Sequence, residues 1–282
     1  MLRYSDAIIA LGKWVAQKIA ARRATPQARE VSDFAQAVLR SNSVPTNMST
    51  NAGSCATNMP FYPSSANIRT AVFGFGCFWG VESRYAAIDG VIATRVGYAG
   101  GTKQGNVTYR NLGDHVEVVE MVYDQSQLSY HDLLDFFFKA HDPTDQWYKN
   151  KRQYASIILY QTDEEKDLAV KAKAAKQATC KAQITTLLQP LGEFYQAEDY
   201  HQKYHLRQSE ALCDSLGLLD AQLITSSLAT KLNAVVCRAM PAAKLLDDPA
   251  YAKDLSPGQK SMLTQNGVLV ESDCNGLQCT KD

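Results

Sequence analysis

Short runs rich in Val, Ile, Phe and Tyr alternate with helical segments through the middle of the chain. They predict strands at Arg69–Phe75, Ala93–Tyr98, Val116–Tyr123 and Tyr154–Tyr160. A helix is predicted from about Cys77. Ser129 opens another, with Asp132 three residues on as its capping partner and Leu133, Leu134, Phe137 and Phe138 along it. Thr162, with Glu165 at the capping-box position, opens a long Ala/Lys helix. A further strand is expected before Phe194, and a helix from Glu198. Strands and helices mix without strict alternation, which predicts an α+β fold rather than a doubly wound sheet.

The ends read differently. In residues 1–40, Ile8, Leu11, Val15 and Ile19 recur at helical spacing beside Lys13, Lys18, Arg22 and Arg23, and Val31, Phe34 and Val38 follow. An Arg-bearing amphipathic start fits a mitochondrial transit peptide. Asp6, Glu30 and Asp33 fit a surface helix pair instead. The compartment is therefore cytoplasmic or the mitochondrial matrix. Residues 41–67 carry no charge and are rich in Ser, Thr, Asn and Pro. Such a stretch cannot offset its chain entropy by burial, so it reads as a linker with Cys55 idle inside it. Three parts result: an extension at 1–67, a compact domain at 68–212, and a helical, then irregular, extension at 213–282.

Composition narrows the function. Lys+Arg 29 balance Asp+Glu 29 in 282 residues, so the chain has no overall field to hold nucleic acid. A hydrophobic share of 45% supports a real core. No apolar run approaches the roughly 20 residues that span a bilayer, so no membrane role is expected. The Lys-rich stretch from Lys166 to Lys181 mixes in acids and alanines and reads as a solvated helix face. Seven Cys are too sparse for a disulfide scaffold. That points to a reducing compartment, and to individual thiols as the place to look for chemistry.

Chemistry concentrates in Gly74-Phe75-Gly76-Cys77-Phe78-Trp79-Gly80, where a thiol stands at the turn from strand to helix. N–H groups at a helix start and the positive end of its dipole favour a thiolate. The glycines permit close approach of another molecule, and Phe78 and Trp79 add an apolar wall. The combination suggests a nucleophile that receives a small apolar group. A buried core Cys with aromatic neighbours is the plainer reading. Without a Cys-x-x-Cys, Cys77 is no thioredoxin-type dithiol. Glu117 shares a strand face with Val119, Met121 and Tyr123, while Glu120 shares the other with Val118 and Val122. The pattern alone does not choose between these acids.

Gly76-Cys77-Phe78-Trp79-Gly80 resembles the active-site motif of the peptide methionine sulfoxide reductase A family. The resemblance continues through Gly97-Tyr98-Ala99-Gly100-Gly101, Thr108-Tyr109-Arg110, His115-Val116-Glu117-Val118 and Val122-Tyr123-Asp124. It runs on through His141-Asp142-Pro143, Gln153-Tyr154-Ala155-Ser156 and Ala197-Glu198-Asp199-Tyr200-His201-Gln202, in the family's order and over about residues 70–205. It implies a mixed sheet with flanking helices and a ferredoxin-like core. It also implies thiol-dependent reduction of methionine-S-sulfoxide, in proteins and as the free amino acid. By resemblance, Cys77 attacks the sulfoxide sulfur, Glu117 is the acid, Tyr109 and Tyr154 hydrogen-bond the oxygen, and Phe78 and Trp79 surround the S-methyl group. A sulfenic acid on Cys77 would follow. No bound cofactor or metal is implied. The implied partners are thioredoxin or another thiol as reductant and oxidised proteins as substrate, with the chain a monomer.

Departures from the family pattern matter. Lys149 stands where the family carries an Asp five residues before the second tyrosine, and Asp145 is the nearest substitute. Asp142 reads as a turn former. For the resolving thiol, Cys274 and Cys279 lie near the C-terminus beside Gly276, and Cys213 falls at the family's distance after Tyr204 in a helical context. Cys180 and Cys237 fall in helical patterns and read as structural. His201 and His205, four apart, would share a helix face and could bind zinc with the tail cysteines, although ordinary ligand spacing is missing. A second function class is a non-catalytic sulfoxide-binding or thiol redox-sensing module, favoured only by Lys149.

Overall fold

The computed structural model describes residues 66–145 and 151–264. The expectations for residues 1–65, Cys55, Lys149, Cys274 and Cys279 lie outside the described residues. The first strands and helices run β1 (Ile68–Phe75), α1 (Phe78–Ala86), β2 (Val91–Ala99), β3 (Val116–Asp124), α2 (Tyr130–Ala140) and β4 (Ser156–Tyr160). Helix α3 (Asp163–Gln177), β5 (Leu187–Pro190) and β6 (Tyr195–Gln196) follow. The sheet order is β5-β4-β1-β3-β2-β6, antiparallel except for the β4–β5 pair. Its inner four strands, β4-β1-β3-β2, joined through α1 and α2, give the βαββαβ ferredoxin-like topology that was expected.

Local chemistry explains the helix starts. Ser129 Oγ accepts from Asp132 N, and the Asp132 carboxylate accepts from Ser129 N, a reciprocal cap. Thr162 Oγ1 accepts from Glu165 N, whereas the Glu165 carboxylate reaches back to Gln161 N rather than to Thr162. One face of the sheet packs Phe73, Phe75, Tyr85, Leu133 and Phe137 into the main core. Helix α3 presents a solvated face, with Ala169 its only buried residue.

Two expected elements differ. The strand expected from Tyr154 begins at Ser156, because a 3₁₀ turn at Arg152–Tyr154 precedes it. The helix expected from Glu198 is a 3₁₀ turn at Asp199–His201 followed by α4 (Tyr204–Gln208). Lys203, with φ 53°, breaks the two apart. His201 and His205 therefore do not share one helix face.

Beyond α4 come α5 (Glu210–Ser215), α6 (Asp220–Thr225), α7 (Ser227–Val236) and, up to Thr264, three further short helices. They share a second core with Ala86 of α1 and Leu206 of α4. Helix α7 lies along α1. Lys231 Nζ donates to the carbonyls of Ala86 and Ile88, and Asn233 Nδ2 donates to Ser83 Oγ. The residues after 212 thus buttress the helix that begins at Cys77.

Candidate active site

Strand β1 ends at Phe75, and the chain turns at Gly76 with φ 121°, a conformation that favours glycine. Cys77 follows as the N-cap of α1 and is half-buried. Two residues before Gly76, within β1, a side chain at Gly74 would meet the Glu117 carbonyl at 2.5 Å, so glycine lets β1 and β3 close up at the acid.

Glu117 lies on β3 and is almost wholly buried. Its Oε2 accepts from the backbone N–H of Phe78 at 3.0 Å, and its Oε1 accepts from Gln153 Nε2 at 2.9 Å. Burial pushes its pKa up to about 7, against the opposing pull of those two hydrogen bonds. Glu120 has a different fate. It forms a buried ion pair with Arg95, whose guanidinium also lies over the Phe194 ring at 4.5 Å. Of the two acids left open by the strand pattern, the one joined to the Cys77 turn is Glu117.

Aromatic rings close the other side. Phe78 is buried, and Trp79 is partly buried with its indole stacked on Tyr204 at 3.6 Å and 3°. Trp79 Nε1 donates to His201 Nδ1 at 3.0 Å. The His201 ring also meets Phe78 at 5.0 Å and Tyr109 at 5.0 Å. Tyr109 stands at the start of a 3₁₀ turn, 40% exposed, and its backbone N–H donates to Glu198 Oε1 at 3.0 Å.

Tyr154 ends the Arg152–Tyr154 turn next to Gln153, and is partly buried. That turn is anchored by Arg152, which donates to the carbonyls of Asp114 and Gly100. Hydrogen bonds and ring contacts thus link Glu117, Phe78, Trp79 and Tyr109, while Cys77 and Tyr154 adjoin this set as the chain neighbours of Phe78 and Gln153.

The remaining candidates sit apart or elsewhere. Cys213 lies in α5, half-buried, and burial pushes its thiol pKa up. Cys180 is a half-buried thiol beyond α3, while Cys237, just past α7, is buried and disulfide-bonded. Asp142 Oδ1 accepts from the Thr144 backbone and hydroxyl, the turn expected of it, and the Asp145 carbonyl accepts from Thr185 Oγ1.

Four site residues had no role assigned from the sequence. Gln153 and Glu198 lay inside quoted motifs, but nothing in a linear pattern says which carboxylate a glutamine reaches. The sequence pattern offers His201 only as a metal ligand and Tyr204 only as a spacing marker. The available signal was density: all seven residues of Glu198–Tyr204 are aromatic, polar or charged, in a segment that packs against Trp79.

The family described as peptide methionine sulfoxide reductase matches residues 69–230. A peptide methionine sulfoxide reductase of Drosophila melanogaster is 45% identical over 175 residues, 62% of this chain and 70% of that protein. The crystal structure of Mxr1 from Saccharomyces cerevisiae in reduced form is 30% identical with a TM-score of 0.47, over 52% of this chain and 88% of that one. A further structure, Mxr1 in complex with Trx2, has a TM-score of 0.39 at 28% identity, over 49% of this chain and 86% of that one.

Proposed function

The chain belongs to the peptide methionine sulfoxide reductase family, and on that premise we propose how its residues carry the reaction. It is an enzyme that reduces methionine sulfoxide with electrons from thiols. The proposal concerns the S epimer, the residues and the reductant.

Cys77 attacks the sulfoxide sulfur as a thiolate. The S–O oxygen passes to the Cys77 sulfur, leaving methionine and a Cys77 sulfenic acid. The oxygen needs a proton as charge builds on it, and Glu117 supplies it. A carboxyl with a pKa near 7 is substantially protonated at neutral pH and can act as an acid there. Tyr109 and Tyr154 donate phenolic O–H groups to the same oxygen. Phe78 and Trp79 hold the S-methyl group through sulfur–ring contact and apolar burial. Two further thiol groups then return the sulfenic acid to a thiol, releasing water and a disulfide, and thioredoxin is the proposed donor. The proposed location is the cytoplasm or the mitochondrial matrix, where thioredoxin would act, against which stands the disulfide at Cys237, a bond uncommon in a reducing compartment.

The observation that carries this reading is the hydrogen bond from Phe78 N to Glu117. It ties a carboxyl of raised pKa to the turn bearing the nucleophile. The test is Cys77→Ser, assayed on separated S and R sulfoxide epimers with dithiothreitol or thioredoxin. The parent should reduce the S epimer and the variant neither. Turnover retained in the variant removes the mechanism, and a parent that binds the S epimer without reducing it makes the chain a binding module.

A further inference from the structure

Resting on that reading, we infer that His201 and Glu198 form a positioning pair that sets the indole of Trp79 and the place of Tyr109. An indole N–H can only donate. His201 Nδ1 accepts from it at 3.0 Å, so in the neutral imidazole the proton sits on Nε2. Burial pushes the His201 pKa down to about 4, which keeps the ring neutral through the physiological range. The tautomer is therefore fixed by Trp79.

That Nε2–H is buried and makes no hydrogen bond among the described residues. It faces Glu198 Oε2 at 3.9 Å, too long for a direct bond and short enough for a small movement to close. The same carboxylate already has two duties. Oε2 accepts from Tyr98 OH at 2.9 Å, and Oε1 accepts from Tyr109 N at 3.0 Å. Glu198 is thus fixed to β2 by one oxygen and holds the Tyr109 turn with the other.

The imidazole lies among the rings it orients. It meets Trp79 at 5.6 Å, Tyr109 at 5.0 Å and the exposed Tyr200 at 4.1 Å. Tyr204 fixes the plane of the indole by stacking, and His201 fixes its direction within that plane. Neither His201 nor Glu198 takes part in the proposed chemistry. Their effect reaches substrate through Trp79 and Tyr109, and should appear in substrate capture rather than in the reactivity of the thiol.

The experiment compares the full-length parent with His201→Phe and Glu198→Gln. His201→Phe keeps an aromatic ring and removes the acceptor. Its Trp79 indole N–H resonance, assigned in ¹⁵N-labelled protein with Trp79→Phe, should shift from the parent position. The KM for a methionine-S-sulfoxide peptide should rise about tenfold, the scale for one buried donor left unpaired. The rate of Cys77 alkylation by iodoacetamide should stay at the parent value. Glu198→Gln nearly preserves size and should also raise KM without slowing alkylation, which keeps the inference testable if His201→Phe does not fold. Folded variants with the parent's indole resonance and KM overturn it, as does a fall in alkylation rate equal to the rise in KM. A parent that shows no S-sulfoxide turnover defeats the proposed function instead, and the indole resonance alone then decides the pairing.

Discussion

Glu117 Oε2 and the backbone N–H of Phe78 meet at 3.0 Å across the gap between β3 and the start of α1. The acid is therefore held to the residue that follows Cys77, and its second oxygen is held by Gln153 beside Tyr154. A side chain buried among such partners has one position and one set of donors. Its protonation is governed by burial against two hydrogen bonds, and burial prevails.

Glu117→Gln should slow the single-turnover rate on S-sulfoxide by about 10²- to 10⁴-fold, the usual range for losing a general acid. The fold should survive, because Gln153 can turn its amide and offer oxygen to the new NH₂ group. In the parent, the contribution of the acid should fall as pH rises past about 7, and that descending limb should vanish in the variant. Glu120→Gln is the control. It should cost stability through the loss of the Arg95 pair while leaving the rate near the parent's. Equal rate losses in the two variants would remove the acid assignment.

The same carboxyl should leave a signature in stability. Its folded pKa, about 7, lies above the unfolded value near 4.5. Between those values the folded state holds a proton that the unfolded state has released, so stability falls as pH rises from about 4.5 to about 7. His201 and His141, both pushed down to about 4 by burial, act in the opposite sense and lose stability as pH falls below their unfolded pKa. Comparing the parent with Glu117→Gln isolates the acid. Urea unfolding should show the variant gaining on the parent by up to about 3 kcal/mol between pH 4.5 and pH 8. A constant gap across that range would mean that Glu117 titrates normally.

How much of this was legible from the sequence depends on how local the determining signal is. The caps at Ser129 and Thr162 are short-range devices, and both were readable. The turn at Gly76-Cys77 was readable because a glycine and a helix start announce it. The helix expected from Glu198 was not, since helical spacing continues straight through Lys203. There the buried pair with Glu82, 121 positions away, accompanies a left-handed residue that ends the turn. Pairings over such distances leave no local trace, and neither do Arg95 with Glu120 or Trp79 with His201. The helices after Cys213 read as an extension because their partners, Ala86 and Ser83, lie about 150 residues earlier.

The Glu82–Lys203 pair should matter most to stability. Both side chains are fully buried. Lys203 Nζ also donates to the Thr94 carbonyl, and Glu82 accepts from Thr94 Oγ1 and from Lys203 N. Glu82→Leu strands a buried ammonium and should destabilise by about 3–5 kcal/mol. Adding Lys203→Met should restore much of that loss, since two apolar groups need no partners. Chemical denaturation of the two variants gives the comparison. A double variant no more stable than Glu82→Leu would show that the pair contributes more than mutual neutralisation.

Recycling tests the far end of the chain. A sulfenic acid on Cys77 can condense with a second thiol, forming a disulfide and water, and thioredoxin then reduces that disulfide by exchange. Small dithiols such as dithiothreitol need no such relay, because they can reach a half-buried sulfur themselves. Truncation before Cys274 should therefore lower thioredoxin-driven turnover more than dithiothreitol-driven turnover, and the doublet Cys274→Ser/Cys279→Ser should reproduce it. Cys213→Ser should change neither rate much, since its thiol lies within α5 with burial pushing its pKa up. Peptide mapping after one turnover without reductant would identify the sulfur joined to Cys77. A Cys77–Cys213 bridge, or equal losses with both reductants on truncation, would move the relay away from the tail.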